Sequence, residues 1–379
     1  MIPLRFAAGY IKGIIYIYLW YSSILFGYAG LFCPILPLIF LSNRLYRNAT
    51  DFLFTFWQMY PTALLDLLFN CKVQVTGDEI NADESSLLVM NHRTRTDWNF
   101  LWPAVYQATT GKGRFNHPTK FVLKDEIRHI PGVGWIMQLS CFLYIKRNWA
   151  LDKIKLSCMI DYFCDSKHKF SLLIFPEGTD LTADTKRNSD KYADKHGLQK
   201  YDYVLHPRTT GFSFLAERLI RKRALDALYD ITIIYCDNVP QNETLILRGQ
   251  FPKEIKIHFT RYPVASLPDG EEELKLFLEK RWLEKERNIR EFYATHQFLH
   301  GKRVRRDQRL ELYVALVFWT ALPYLVVYLL YATSVLRHIV FYHTVFLLLV
   351  NAFFGGFQNF EIAIFNSKRK MSRFISSRI

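Results

Sequence analysis

The chain has 379 residues, 50% of them hydrophobic and 16% aromatic, and a formal charge of +14 at neutral pH. So much apolar content excludes a disordered chain, and the length leaves room for one domain plus membrane segments. The positive charge suits anionic lipid surfaces and phosphate-bearing ligands.

No charged residue occurs from Gly13 to Leu41. Such a run is long enough to cross a bilayer and too long for the roughly 7–15 apolar residues of a cleaved signal. Gly27, Gly30, Pro34 and Pro37 interrupt it, so it either spans the membrane or turns back as a re-entrant anchor.

From Lys72 to about Arg261 strand-like and helical patterns alternate. The strand-like runs are KVQVT (72–76), SLLVM (86–90), KFVL (120–123), CFLYI (141–145), SLLIF (171–175), ITIIY (231–235) and EIKIHF (254–259). Helices are expected after Asp97, over 131–140, 151–164 and 209–222. This predicts an α/β domain, a mixed sheet flanked by helices. The stretch 270–297 is rich in Glu, Lys, Arg and Leu and reads as a solvent-exposed amphipathic helix.

Leu312 to Tyr331 and Ile339 to Phe360 are each long enough to cross a membrane, with Arg337 and His338 between them. They predict a C-terminal transmembrane helical hairpin with a short turn. The chain therefore divides into an N-terminal membrane segment (1–41), a folded domain (42–300), and a hairpin with a basic tail (301–379). Lys302, Arg303, Arg305, Arg306 and Arg309 precede the hairpin; Lys368, Arg369, Lys370, Arg373 and Arg378 follow it. The positive-inside rule puts both flanks, and the folded domain joined to the first, in the cytosol. Beside a membrane span such basic runs are assigned to headgroups, and no nucleic-acid partner is expected.

The six cysteines include no C-x-x-C pair, which predicts free thiols in a reducing compartment and no zinc site. Asn48-Ala49-Thr50 and Asn242-Glu243-Thr244 match the glycosylation acceptor pattern, and a cytosolic domain leaves both unmodified.

Two corners carry the chemistry. Asn91-His92-Arg93-Thr94-Arg95-Thr96-Asp97 follows the apolar run SLLVM, and Thr96 or Asp97 is placed to cap the next helix. Asp97 could then hold one imidazole nitrogen of His92 as N–H, leaving the other to take a proton from a hydroxyl. No serine or cysteine stands beside them in sequence as a nucleophile, so the hydroxyl belongs to a substrate. The bland reading is a loop histidine next to a capping aspartate, a spacing that chance often provides. The second corner, Phe175-Pro176-Glu177-Gly178-Thr179-Asp180, weighs against it. Pro176 stops the strand, Gly178 permits close ligand approach or positive φ, and Glu177 and Thr179 project polar groups from a strand end.

Asn91 to Asp97 resembles the NHX4D motif of the glycerolipid acyltransferases, and FPEGT resembles their second signature, whose glutamate and glycine help hold the acyl-acceptor lipid. FLYIKR (142–147) is similar to the block between, a strand ending in an arginine at the lipid phosphate. Within the family, NHRTRTDWNFLW, MIDYFC (159–164), LLIFPEGTDLT, GLQKY (197–201) and YVLHPRTTGF (203–212) look like the branch that acylates lysocardiolipin and lysophosphatidylinositol. The proline-containing strand that usually ends the family's core is not evident: DITIIY (230–235) has no proline, and Pro207 lies ahead of the preceding helix.

The resemblance implies a multi-pass membrane enzyme of the endoplasmic reticulum or the adjoining mitochondria-associated membrane. It implies transfer of an acyl chain from acyl-CoA, a co-substrate, to a lysophospholipid (lysophosphatidylinositol, monolysocardiolipin or lysophosphatidylglycerol), with no resident cofactor or metal. His92 and Asp97 are the implied catalytic pair. Arg147, Glu177, Gly178 and Thr179 are the implied acceptor-binding residues, with Arg208 as a further cation. Asp180 stands where enzymes acting on lysophosphatidate usually carry arginine, and an anion there disfavours a phosphomonoester. Acylation of lysophosphatidate is the alternative within the family. A transporter or a non-catalytic scaffold is the alternative from another class, opposed by the few spans and by the presence of both His92 and Asp97.

Overall fold

The computed structural model describes residues 2–110, 118–297, 301–304 and 309–376, with side chains from Ala7 to Phe374. Arg305, Arg306 and Arg378 of the basic flanks lie outside the described residues. The chain forms two compact units, neither continuous in sequence: residues 1–18, 58–119 and 169–316 make the first, and 19–57, 120–168 and 317–379 the second.

The strands are β1 (Lys72–Gly77), β2 (Ile80–Asn81), β3 (Ser86–Met90), β4 (Thr109–Thr110), β5 (Thr119–Lys124), β6 (Leu143–Ile145), β7 (Ser171–Ile174), β8 (Ala227–Tyr235), β9 (Glu254–Pro263) and β10 (Arg303–Val304). In the first unit six of them run in the order β10-β1-β9-β8-β3-β7. β8 and β7 are parallel to β3, whereas β9 is antiparallel to β8 and parallel to β1. The sheet is thus mixed, as expected. β3, β7 and β8 are buried at every position, which explains their unbroken apolar runs where a half-exposed strand would alternate. Because Leu87 pairs with Leu172 and Val89 with Ile174 in parallel register, both chains leave the sheet at the same edge. That edge carries the two corners singled out in the sequence.

The helix Glu271–Thr295 differs from its expected exposure. Leu274, Leu278, Trp282, Ile289 and Phe292, spaced by three, four or seven residues, are buried, and Lys285 and Glu286 are buried with them. Lys285 Nζ reaches Asp230, the carbonyl of Ile231 (2.7 Å) and Thr232 (3.1 Å) on β8. The helix is amphipathic, but two of its charged residues face the protein, where partners offset the cost of burying them.

The second unit holds the pair β5–β6 and the apolar helices. Ala7–Leu41, Leu310–Ala332 and Ser334–Phe354 are long and apolar enough to cross a membrane, the first and second reaching into this unit from the other. Gly27 and Gly30 do not break the N-terminal run. A side chain on either would meet Trp319 or Val326 of Leu310–Ala332 at 2.9 and 2.5 Å, so they serve close helix packing. Tyr28 bonds His343 Nδ1 at 2.8 Å, tying the same run to Ser334–Phe354.

The C-terminal turn also lies elsewhere than expected. Thr333 alone separates the last two spans, and Arg337 caps the first of them by donating to the carbonyls of Leu330 (2.6 Å) and Tyr331 (2.9 Å). The second span stops at Phe354 because Gly355 (φ +66°) and Gly356 (φ +128°) leave the helical region. A further helix, Phe357–Ser376, follows. Its Glu361, fully buried, pairs with Arg47 at 2.7 Å and accepts from Tyr162.

Candidate active site

β3 ends at Met90, and Asn91 replaces the next rung of the ladder with its side chain. Its Oδ1 accepts from the Ile233 N–H (2.9 Å) and its Nδ2 donates to the Ile233 carbonyl (3.1 Å). The main chain is thereby released to turn, and His92 emerges with its ring stacked on Phe175 at 4.2 Å.

Asp97 opens the helix Asp97–Ala108 and is wholly buried. Its Oδ2 lies 3.0 Å from His92 Nδ1 and 3.0 Å from the Thr94 N–H; its Oδ1 accepts from Thr94 Oγ1 (3.0 Å) and Tyr235 Oη (2.7 Å). A carboxylate only accepts, so Nδ1 carries the proton and Nε2 is the basic nitrogen. Thr96 occupies the N-cap position, but its hydroxyl donates to the Pro240 carbonyl at 2.8 Å instead of capping the helix. Burial pushes the His92 pKa down, and the hydrogen bond and charge of Asp97, with the charges of Glu177 and Asp180, more than reverse this, so it stands above the usual histidine value. The His92 side chain keeps 18% of its surface exposed against none for Asp97, so the pair presents the imidazole outward.

Glu177 is used inside the protein. Only 3% exposed, it accepts at Oε1 from the His92 N–H (3.1 Å) and Trp282 Nε1 (3.2 Å), and at Oε2 from the Leu205 N–H (3.0 Å). Burial pushes its pKa up to about 7, even though those three donors and His92 pull the other way. Gly178 adopts φ +72°, and a side chain there would sit 3.3 Å from Arg208 Cδ. Arg208 is held by its N–H to the Pro176 carbonyl (2.7 Å) and is exposed. Thr179 is half-buried, 3.4 Å from Asp180 Oδ1. Asp180 Oδ2 accepts from Gln241 Nε2 at 2.8 Å, and Gln241 Oε1 accepts from Arg93 at 3.0 Å.

One unit thus assembles His92, Asp97, Glu177, Gly178, Thr179 and Arg208. Arg147 belongs to the other, where it is exposed after β6 and holds a left-handed φ of +60°. Sequence reasoning missed Asn91, Tyr235 and Trp282. Tyr235 lies in an apolar run and reads as core, and Trp282 stands among charged residues of a stretch read as solvent-exposed; only the amide of Asn91 beside the histidine offered a signal. β8 occupies the place where a proline strand was sought and has none.

Residues 72–236 match the family model described as Acyltransferase, and residues 245–319 match Acyltransferase C-terminus. Lysocardiolipin acyltransferase 1 of Gallus gallus is 40% identical over 370 residues, covering 96% of this chain and 97% of that protein. Lysophosphatidylinositol acyltransferase 10 of Caenorhabditis elegans is 31% identical over 371 residues, covering 93% and 94%. Among solved structures, the 1-acyl-sn-glycerophosphate (LPA) acyltransferase PlsC from Thermotoga maritima has the same fold. Its TM-score is 0.50 at 17% identity, over 79% of this chain and 100% of that one.

Proposed function

Because this chain belongs to the acyltransferase family, we propose that it transfers a fatty acyl chain from acyl-CoA to the free hydroxyl of a lysophospholipid. His92 Nε2 takes the hydroxyl proton as the oxygen attacks the thioester carbonyl. The C–S bond then breaks, and the proton passes from His92 to the departing thiolate. Asp97 keeps Nδ1 protonated and stabilises the imidazolium, and backbone N–H groups near the helix mouth are the candidates for holding the oxyanion. The observation that carries this reading is the 3.0 Å contact of His92 with a fully buried, four-donor Asp97. The nearby hydroxyls of Thr94 and Thr96 are committed to Asp97 and the Pro240 carbonyl, which supports direct transfer without an acyl-enzyme.

The acceptor we infer is a phosphodiester such as lysophosphatidylinositol or monolysocardiolipin, in keeping with the relatives named for lysophosphatidylinositol and lysocardiolipin. Asp180 supports this choice, being close enough to raise the proton affinity of His92. A phosphomonoester carries up to two negative charges near neutral pH and would meet that carboxylate, whereas a phosphodiester carries one per phosphate. Arg208, beside Gly178, supplies the compensating charge. The folded domain faces the cytosol from the endoplasmic reticulum or mitochondria-associated membrane.

Purified protein assayed with acyl-CoA against lysophosphatidylinositol, monolysocardiolipin, lysophosphatidylglycerol and lysophosphatidate tests the reading. Turnover is expected with the phosphodiesters, and Asp180→Arg should raise relative kcat/KM for lysophosphatidate by roughly tenfold, about 1.4 kcal/mol. Preference of the native protein for lysophosphatidate, or an unchanged ratio in the variant, would defeat the charge argument.

A further inference from the structure

The helix Glu271–Thr295 touches both members of the His92–Asp97 pair, each through one intermediary. Trp282 Nε1 donates to Glu177 Oε1 at 3.2 Å, and the same oxygen accepts the His92 N–H at 3.1 Å. Eleven residues on, Tyr293 Oη donates to the Tyr235 carbonyl at 2.9 Å, and the Tyr235 hydroxyl donates to Asp97 at 2.7 Å. Eleven residues make three helical turns to within about 20°, so the two aromatics share one face.

Between them the helix holds the surrounding chain. Glu286 accepts from the N–H groups of Asp202 (3.0 Å), Tyr203 (2.8 Å) and Val204 (3.2 Å), just ahead of Leu205, which donates to Glu177. Lys285 is bonded to β8, the strand that ends in Tyr235. Trp282 is wholly buried and Tyr293 half-buried, and neither reaches the reacting atoms.

We propose that Trp282 and Tyr293 are positioning residues that set the separation and orientation of His92 and Asp97, making this helix a two-armed brace for the active site. The proposal rests on His92 being the base. A helix attached only to the sheet would need no polar contact at these two points, since apolar burial suffices for packing.

Removing each hydrogen bond while keeping the ring tests the brace. Trp282→Phe and Tyr293→Phe should each lower kcat by roughly tenfold, about 1.4 kcal/mol, with both KM values within about twofold. Should Trp282→Phe fail to fold, 3-benzothienylalanine at position 282 keeps the bicyclic shape and removes only the N–H.

The pH profile separates positioning from general weakening. His92 faces Asp97, Glu177 and Asp180, and Glu177 faces His92 and Lys285. Loss of the Trp282 donor makes ionised Glu177 less favourable, which weakens the negative charge beside His92, so the acid limb of kcat/KM should move to lower pH. Loss of the Tyr293 contact loosens Asp97 from His92, lowers the proton affinity of the base, and should likewise move that limb to lower pH. Wild-type kcat in either variant, or reduced kcat with both limbs unmoved, overturns the proposal. Turnover retained by His92→Ala would instead refute the base assignment, so the two failures are distinguishable.

Discussion

Asp97 holds four donors while being shut off from solvent, so its value lies in keeping one orientation as well as one charge. Asparagine there places an amide where acceptors are needed and disturbs the His92 tautomer. Turnover should fall by about 10³–10⁴-fold in Asp97→Asn, the scale seen when such a carboxylate loses its charge. What activity remains should show an acid limb at lower pH. The sign follows from the raised His92 pKa: below it the base is protonated and inert, and Asp97 is the chief group raising it. An acid limb unmoved in kcat/KM against pH would contradict this. The polar positions of His92 and Glu177 were legible because each follows an apolar run, and that of Asp97 because it opens one. Tyr235 and Trp282 act from 138 and 105 residues away, and an aromatic residue, in an apolar or a charged stretch, carries no sign of its hydroxyl's or indole's partner.

Periodicity served the buried elements best. Apart from β10, which was not expected, the strands of the first sheet and the helices Val133–Leu139, Trp149–Asp165 and Thr209–Arg221 fall within a few residues of their expected ranges. The helix Ala183–His196 had no apolar face to announce it; only the Thr182 capping box and the left-handed Gly197 mark its ends. Likewise the exposure of Glu271–Thr295 was misjudged because Lys285 and Glu286 read as solvated until their partners on β8 and the 202–204 segment are known. The helices apolar enough to cross a membrane were plain from composition, but Gly355 and Gly356, not the end of the apolar run, stop the last one. Basic residues on both sides of the last two spans predict that the C-terminal tail of microsomal protein is open to protease from the cytosolic side, with Asn242 unglycosylated. A glycan on Asn242, or a protected tail, would reverse that orientation.

At the scale of the whole molecule, the parallel pairing of β3 with β7 does most to build the site. It brings His92 and Glu177 to one edge although the chain between them passes through the second unit. The sequence made an α/β domain evident, because buried strands and helices alternate. It left the strand order open, because apolar strands do not encode their neighbours. The interleaving of the two units was equally hidden: the linear reading divides the chain at 41 and 300, while contacts join distant segments. In the proposed reaction His92 removes the proton from a substrate hydroxyl in direct acyl transfer. The measurement that tests this step most directly is transfer of a labelled acyl chain from acyl-CoA to lysophosphatidylinositol by membrane-inserted His92→Ala protein, its melting temperature matched to wild type. Transfer reduced by at least about 10²–10⁴-fold is predicted, the contribution of a positioned general base. Turnover near that of wild type would contradict it.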